Sequence, residues 1–255
     1  ARAGHLLCQY DEDLGDQRWE MLVGRLKDSA ARPAGDDGEA VELSDYRNRL
    51  AATQWIHTAA AMQAAEMLDI RGESSETQDA AQGIRILDLG CGSAVWSCAM
   101  AHRDADSTIV AVDQASALQA AGNTAQSIGL EGRFESLESD PRSVDLGERT
   151  FDLAILGQVL SGYSDSEAAG LLEKAAAALK PGGRLVAPDH YVGPGRAGLK
   201  ESLSRLSIHL ATPSGRVRDL QECQQMFLGA GLESIQFTFL AASEAGLGII
   251  VASKP

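Results

Sequence analysis

The sequence predicts an α/β protein, doubly wound around a mostly parallel seven-stranded sheet with antiparallel pairing at its C-terminal edge. A helical extension precedes it. Three observations lead there. From Ile84 onward, short β-branched runs alternate with helical stretches to the end of the chain. Those runs are apolar almost throughout, as strands are when helices cover both faces of a sheet. Upstream of Ile84 the periodicity is helical and no strand-like run occurs. The boundary is therefore expected at 83/84, with a helical extension, linker and lid over 1–83 and an α/β domain over 84–255.

The elements follow in order. Tyr10 to Ala30 puts Trp19, Leu22, Val23 and Leu26 on one helical face. A Pro-, Gly- and Asp-rich loop separates it from a second helix, Leu43 to Ile70, which Ser44 or Asp45 could cap. Gly72 to Gly83 is a polar connector. Then IRILDL reads as a strand, SAVWSCAMAHR as a helix, TIVAVD as a strand and ASALQAAGNTAQSIG as a helix. RFESLES and FDLAILGQV are strands, SDSEAAGLLEKAAAALK is a helix, and GRLVAPDHY is a strand. Helices over Ala197 to Leu210 and Asp219 to Gly229 follow. SIQFTFL and GIIVASK are separated by AASEAG alone, so they should pair as a hairpin. Right-handed crossovers between the parallel strands fix the doubly wound topology.

The formal net charge is −14, and no Lys/Arg-rich run occurs. A nucleic-acid backbone needs a basic face, so nucleic acid is not an expected partner. Arg216 and Arg218 come nearest to a basic patch. The four cysteines, Cys8, Cys91, Cys98 and Cys223, have neither paired nor metal-ligand spacing. They read as reduced thiols of a cytoplasmic protein, with no metal expected. No apolar run reaches the roughly 20 residues of a membrane span, and no signal peptide is visible.

The sharpest local signal is DLGCGS, Asp88 to Ser93, where a strand hands over to a helix. That is where open α/β sheets bind ligands. Gly90 and Gly92 allow a tight turn and a close backbone approach, and the following helix N-terminus favours polar or anionic groups. The next strand ends at Asp113, about twenty residues on, where a carboxylate can accept both hydroxyls of a ribose. The third strand ends near Asp140, within reach of an adenine edge. Val95 stands where a dinucleotide fold would have its third glycine, and Asp88 precedes the turn. That pairing disfavours a pyrophosphate. It suits a nucleoside whose other end carries an ammonium and a carboxylate.

ILDLGCGSAVWS, VAVDQASAL, FDLAILGQVLSGYSD and LKPGGRLVAPD resemble the successive motifs of class I S-adenosylmethionine-dependent methyltransferases, which are Rossmann-like. LATPSGRVRDLQECQQMFLGAGLESI resembles the small-molecule O-methyltransferases of the acetylserotonin and caffeate type. The resemblance spans Ile84 to Lys254 and continues more weakly through Trp19 and Tyr46 to Ile70. That family's N-terminal winged-helix domain has no counterpart in these residues. The resemblance implies S-adenosylmethionine as cofactor, with S-adenosylhomocysteine as product. It implies that Gly90 and Gly92 line the methionine moiety, with Asp88 supporting the turn. Asp113 would bind the ribose, Gln114, Asp140 and Pro141 would flank the adenine, and Gly157 and Gln158 would lie under the sulfonium.

One departure bears on catalysis. Family members carry a His base in a VLHDWSD-like pattern. Here the run is Val159-Leu160-Ser161-Gly162-Tyr163-Ser164-Asp165. Serine titrates far from neutrality and cannot replace imidazole as a base. Of the two acids that orient that His in the plant enzymes, Asp189 matches the first, and Val217 stands at the second. His190, His209 and Asp189 are the substitute catalytic candidates. Tyr46, His57, Ser161 and Tyr163 are the substrate-side candidates. The expected activity is transfer of a methyl group to a small molecule, at oxygen, directly and without metal. The alternative is a protein of the same fold that binds S-adenosylmethionine without methylating, through other chemistry or as a regulatory binder. A nicotinamide-dependent oxidoreductase is the residual reading. The expected partner is a small molecule, not a membrane or nucleic acid, and a homodimer is allowed.

Overall fold

Every second residue of the first strand is an aliphatic for one face of the sheet, and its neighbours serve the other. In the computed structural model, β1 (Arg85–Leu89) sends Ile86 into one buried cluster and Leu87 and Leu89 into another. The structure describes residues 37–70, 83–147, 150–193 and 198–255. The expected helix over Tyr10 to Ala30 lies outside them, as does the connector before Gly83. The chain parts into two units, Ala1–Glu42 and Leu43–Pro255.

After β1 come α3 (Val95–Arg103), β2 (Thr108–Asp113), α4 (Ala115–Ser127), β3 (Phe134–Glu138) and β4 (Phe151–Ile155). Then follow α5 (Asp165–Ala178), β5 (Leu179–Asp189), a short β6 (Tyr191–Val192) and α6 (Leu199–Ala211). The chain closes with β7 (Arg218–Asp219), α7 (Leu220–Gly229), β8 (Glu233–Phe239) and β9 (Gly248–Ser253). The main sheet has seven strands in the order β3-β2-β1-β4-β5-β9-β8. β1 to β5 are parallel, and β9 pairs antiparallel with both β5 and β8. The hairpin forms as expected. It inserts its second strand next to β5, so β8 takes the edge.

The strand order reverses between β1 and β4, which places a crevice at the C-terminal ends of β1, β2 and β4. One buried cluster joins Ile86, Ile109, Ile155 and Val186 to α3 and α4 through Trp96, Met100 and Leu118. The other joins Leu87, Val112, Leu156 and Ile250 to α5 and α7 through Leu172 and Phe227. α5 starts at a capping box in which Ser164 accepts from the Glu167 N–H and Glu167 reaches back to Ser164.

Upstream, the expected single helix over Leu43 to Ile70 is two. α1 (Asp37–Thr53) and α2 (Thr58–Met67) are separated by a 3₁₀ turn, Gln54–His57. In such a turn residues three apart share a face, and Gln54 and His57 are both buried there. Helix α1 begins at Asp37, so neither Ser44 nor Asp45 caps it. α2 lies on α3 through Ala60, Ala61, Ala64 and Ala65, all fully buried. Among the described residues, no helix is long and apolar enough to cross a membrane.

Candidate active site

The turn after β1 is built as its glycines require. Gly90 and Gly92 take φ of 76° and 56°, backbone that a side chain disfavours. A Cβ on Gly92 would meet Gln54 Oε1 at 2.4 Å. Asp88 is buried, and its Oδ2 accepts from Ser97 Oγ at 2.5 Å. Its Oδ1 has no partner. Burial, opposed by the Ser97 hydroxyl, pushes the Asp88 carboxyl up to about 7.

Asp113 closes β2 and is 2% exposed. Its Oδ2 accepts from the Gly92 N–H at 2.9 Å and from Arg47 Nη2 at 2.6 Å, and its Oδ1 accepts from the Gln114 N–H at 2.9 Å. Arg47 Nη2 also donates to the Gly90 carbonyl. Gln114 is held by α1, donating to Asn48 Oδ1 at 2.9 Å and accepting from Ser44 Oγ at 3.0 Å. Asp140 is half-exposed and pairs with Arg142 at 2.7 Å, which also pairs with Glu167 at 2.7 Å. Pro141 is buried beside it.

The crossing strand β4 supplies the other wall. Gly157 lies so near the fully buried Trp96 that a Cβ would meet Trp96 Cδ1 at 2.4 Å. Gln158 takes the left-handed φ of 57° and is buried, a strained conformation of the kind that collects at functional sites. Its N–H donates to the Pro188 carbonyl at 2.7 Å, and its Nε2 lies 3.2 Å from His57 Nε2. His57 stacks on Trp96 with centroids 6.2 Å apart. Burial, helped by the nearby His190 charge, pushes the His57 imidazole down to about 4, so it is neutral at pH 7.

Beyond Gln158, Ser161 Oγ donates to Asp189 Oδ1 at 2.6 Å and the Ser161 N–H donates to Asp189 Oδ2 at 3.0 Å. The His190 N–H adds a third donor to Asp189 Oδ1 at 2.7 Å. The acid that should orient a histidine is thus fastened to the serine in its place. Tyr163 is 3% exposed, and burial raises its phenol. Tyr46 lies against Gly162, whose added Cβ would sit 2.9 Å from the ring. Val217, at the lost second acid, is buried.

The structure brings together the candidates Asp88, Gly90, Gly92, Asp113, Gln114, Gly157, Gln158 and His57 around the β1–β4 crevice, with Ser161 and Asp189 adjoining. His209 lies on α6, where it is exposed while the neighbouring Ile208 is buried. Arg216 and Arg218 do not make a basic patch. Arg216 pairs with Asp165 and Glu222, and Arg218 is buried, donating to the Leu160 and Tyr163 carbonyls at 2.6 and 2.8 Å. Arg47, Gln54 and Trp96 are the site residues that sequence reasoning missed. Trp96 alone carried a signal, a large aromatic just inside the helix after the glycine turn. Among the described residues, no group of three or more His, Cys, Asp or Glu could hold a metal ion. Cys91, Cys98 and Cys223 are buried free thiols.

Among the described residues, five of the seven buried side-chain atoms lacking a hydrogen-bond partner belong to this crevice: Arg47 Nε and Nη1, Asp88 Oδ1, Trp96 Nε1 and Gln158 Oε1. Buried polar groups are paired in nearly all native proteins. The unpaired atoms of Asp88, Trp96 and Gln158 therefore suit a polar ligand.

Residues 86–183, which run from β1 into β5, match the family described as "Methyltransferase domain". No curated protein matches the chain by sequence. Solved structures with this fold are numerous. A candidate O-methyltransferase of Nostoc punctiforme superposes with a TM-score of 0.71 at 22% identity, covering 82% of this chain and 60% of its own. An O-methyltransferase family 2 protein of Planctomyces limnophilus, in complex with apigenin, gives 0.68 at 24%, covering 87% and 63%. Human N-acetylserotonin methyltransferase, in complex with SAM, gives 0.71 at 20%, covering 96% and 68%. The chain thus spans about 60% of the length of the first two. At these identities the likeness establishes the fold: the Rossmann-like fold of O-methyltransferases.

Proposed function

We propose that the chain is an S-adenosylmethionine-dependent methyltransferase acting on a small molecule, at oxygen, by direct in-line transfer without metal. One observation carries this reading, the cluster of unpartnered polar atoms around the two close backbone approaches at Gly92 and Gly157. The residues fit the ligand. Asp88 Oδ1 is an acceptor suited to the ammonium of the amino-acid end. Gly90 and Gly92 give its backbone cradle. Asp113, with Gln114, Asp140 and Pro141, is suited to the nucleoside. Gly157, Gln158 and Trp96 line the crossing point between the two ends.

Bound there, S-adenosylmethionine supplies a methyl group on a sulfonium already activated for displacement. The protein's part is to orient the acceptor and exclude water. Tyr46, His57, Ser161 and Tyr163 line the acceptor side. Ser161 Oγ, whose proton is held toward Asp189, is the atom placed to accept a hydrogen bond from an acceptor hydroxyl. Asp189 is the base of this arrangement: its carboxylate takes up the proton, and Ser161 only passes it on, giving its own proton to Asp189 as the acceptor's replaces it. His190, beside Asp189, adds an imidazole at the same strand end.

The test is S-adenosylhomocysteine formation from S-adenosylmethionine across a panel of phenolic and other hydroxylated acceptors. Product with at least one acceptor supports the reading. Tight S-adenosylhomocysteine binding with no turnover on any acceptor favours the non-methylating alternative, which the Ser161 substitution motivates.

A further inference from the structure

The nucleotide end of the crevice already has an occupant, supplied by the chain itself. Arg47 reaches from α1 to the Gly90 carbonyl and to Asp113 Oδ2. Ser44 and Asn48, on the same helix, hold the Gln114 amide. Gln54 Oε1 accepts from the Ser93 N–H at 2.8 Å, and Gln54 Nε2 reaches the Gly157 carbonyl at 3.5 Å. One stretch, residues 44–54, thus engages each wall of the site.

The hydrogen-bond capacity of Asp113 decides what this means. A carboxylate offers about four acceptor positions. Three are filled, by Arg47, Gly92 and Gln114. A ribose diol needs two, so one donor must leave. The Gly92 and Gln114 donors are backbone N–H groups fixed by the turn and by the start of α4. Arg47 is the donor on a side chain. It is also incompletely satisfied where it sits, with Nε and Nη1 unpartnered and the residue 4% exposed. A buried donor without a partner is costly, so the closed arrangement is held below its full strength.

We propose that Arg47 is an internal stand-in for the ligand, and that its release from Asp113 and Gly90 is the step that opens the nucleotide site. This rests on the S-adenosylmethionine reading above. The ligand-free protein is then self-occluded, and its apparent affinity is lowered by the fraction of time Arg47 stays bound. Displacement of Arg47 draws α1 off the crevice along with Ser44, Asn48 and Gln54.

The experiment is calorimetric and stopped-flow binding of S-adenosylhomocysteine to the full chain, as wild type and as Arg47→Met, which keeps the stem and removes the charge. The same ligand is added to the wild type in a hydrogen-exchange measurement over residues 43–53. The expected results are binding about tenfold or more tighter and faster in Arg47→Met, and increased exchange over 43–53 on ligand saturation. Equal or weaker binding by a folded Arg47→Met protein overturns the proposal. Should that variant not fold, the wild-type exchange decides alone, and greater protection of 43–53 with ligand overturns it. Absence of binding in either protein overturns the nucleotide reading itself, and the stand-in role with it.

Discussion

Ser161 Oγ donates a 2.6 Å hydrogen bond to Asp189 Oδ1, joining a loop after β4 to the end of β5 across 28 positions of sequence. Asp189 is 1% exposed, and its remaining donors are backbone N–H groups. The proposed mechanism makes this pair the proton-accepting group of the site. Asp189→Asn should lower kcat by about 10²- to 10⁴-fold while leaving S-adenosylhomocysteine affinity unchanged in calorimetry. Ser161→Ala should cost about 1–3 kcal/mol in urea denaturation, because it strips a donor from a buried carboxylate.

Asp88 links stability and binding to pH. Its carboxyl ionises near 4 in the unfolded chain and at about 7 in the folded one. The stability it contributes is therefore complete below pH 4 and is lost as pH rises through 7. Asp88→Asn should abolish that loss, so wild type and variant converge or cross between pH 4 and 7 in thermal unfolding. An ammonium partner needs the ionised form. Wild-type affinity for S-adenosylhomocysteine should accordingly fall by up to about tenfold per pH unit below 7.

His57 behaves in the opposite sense. Its imidazole titrates near 6.5 when unfolded and at about 4 when folded. The stability from keeping it neutral is present above 6.5 and is lost as pH falls toward 4. An NMR titration should show the His57 ring resonances unmoved from pH 8 to 5. A transition near 6.5 would place the ring in water, away from Trp96 and Gln158.

Arg218 and Arg216 separate a buried role from a surface one. Arg218→Ala leaves the Leu160 and Tyr163 carbonyls without their donor and should cost about 1–3 kcal/mol for each. It should also lower turnover by loosening the Ser161 turn. Arg216→Ala breaks exposed ion pairs with Asp165 and Glu222 and should cost less than about 1 kcal/mol. Chemical denaturation of the two variants distinguishes them.

Gly157→Ala tests the close approach between β4 and α3. The new methyl would meet a tryptophan ring that is fully buried and cannot swing aside. Overpacking of this kind costs about 1–3 kcal/mol, and S-adenosylhomocysteine affinity should fall with it.

The sheet, its helices and the glycine turn were legible in the sequence, because each rests on a local demand. Strands buried on both faces must be apolar throughout, and a turn with positive φ at Gly90 and Gly92 excludes side chains. Asp113 was legible from its place at the end of β2. The occupants of the crevice were not. Arg47 and Arg49 are two similar charges on one polar-looking helix, and only the docking of α1 decides which is buried. The 3₁₀ turn at Gln54–His57 has no Pro or Gly to announce it, yet it sends both side chains inward. Likewise the Ser161–Asp189 bond exists because β4 and β5 are neighbours in register, a relationship that no local pattern encodes.

The crevice is proposed to hold a nucleoside joined to an amino-acid zwitterion. The most direct test is isothermal titration of the full chain with S-adenosylhomocysteine and, separately, with NAD. Saturable one-to-one binding of S-adenosylhomocysteine is expected, weakened at least about tenfold by Asp113→Ala through loss of the ribose contacts, with no heat on adding NAD. Binding of NAD, or affinity for S-adenosylhomocysteine untouched by the loss of Asp113, would contradict it.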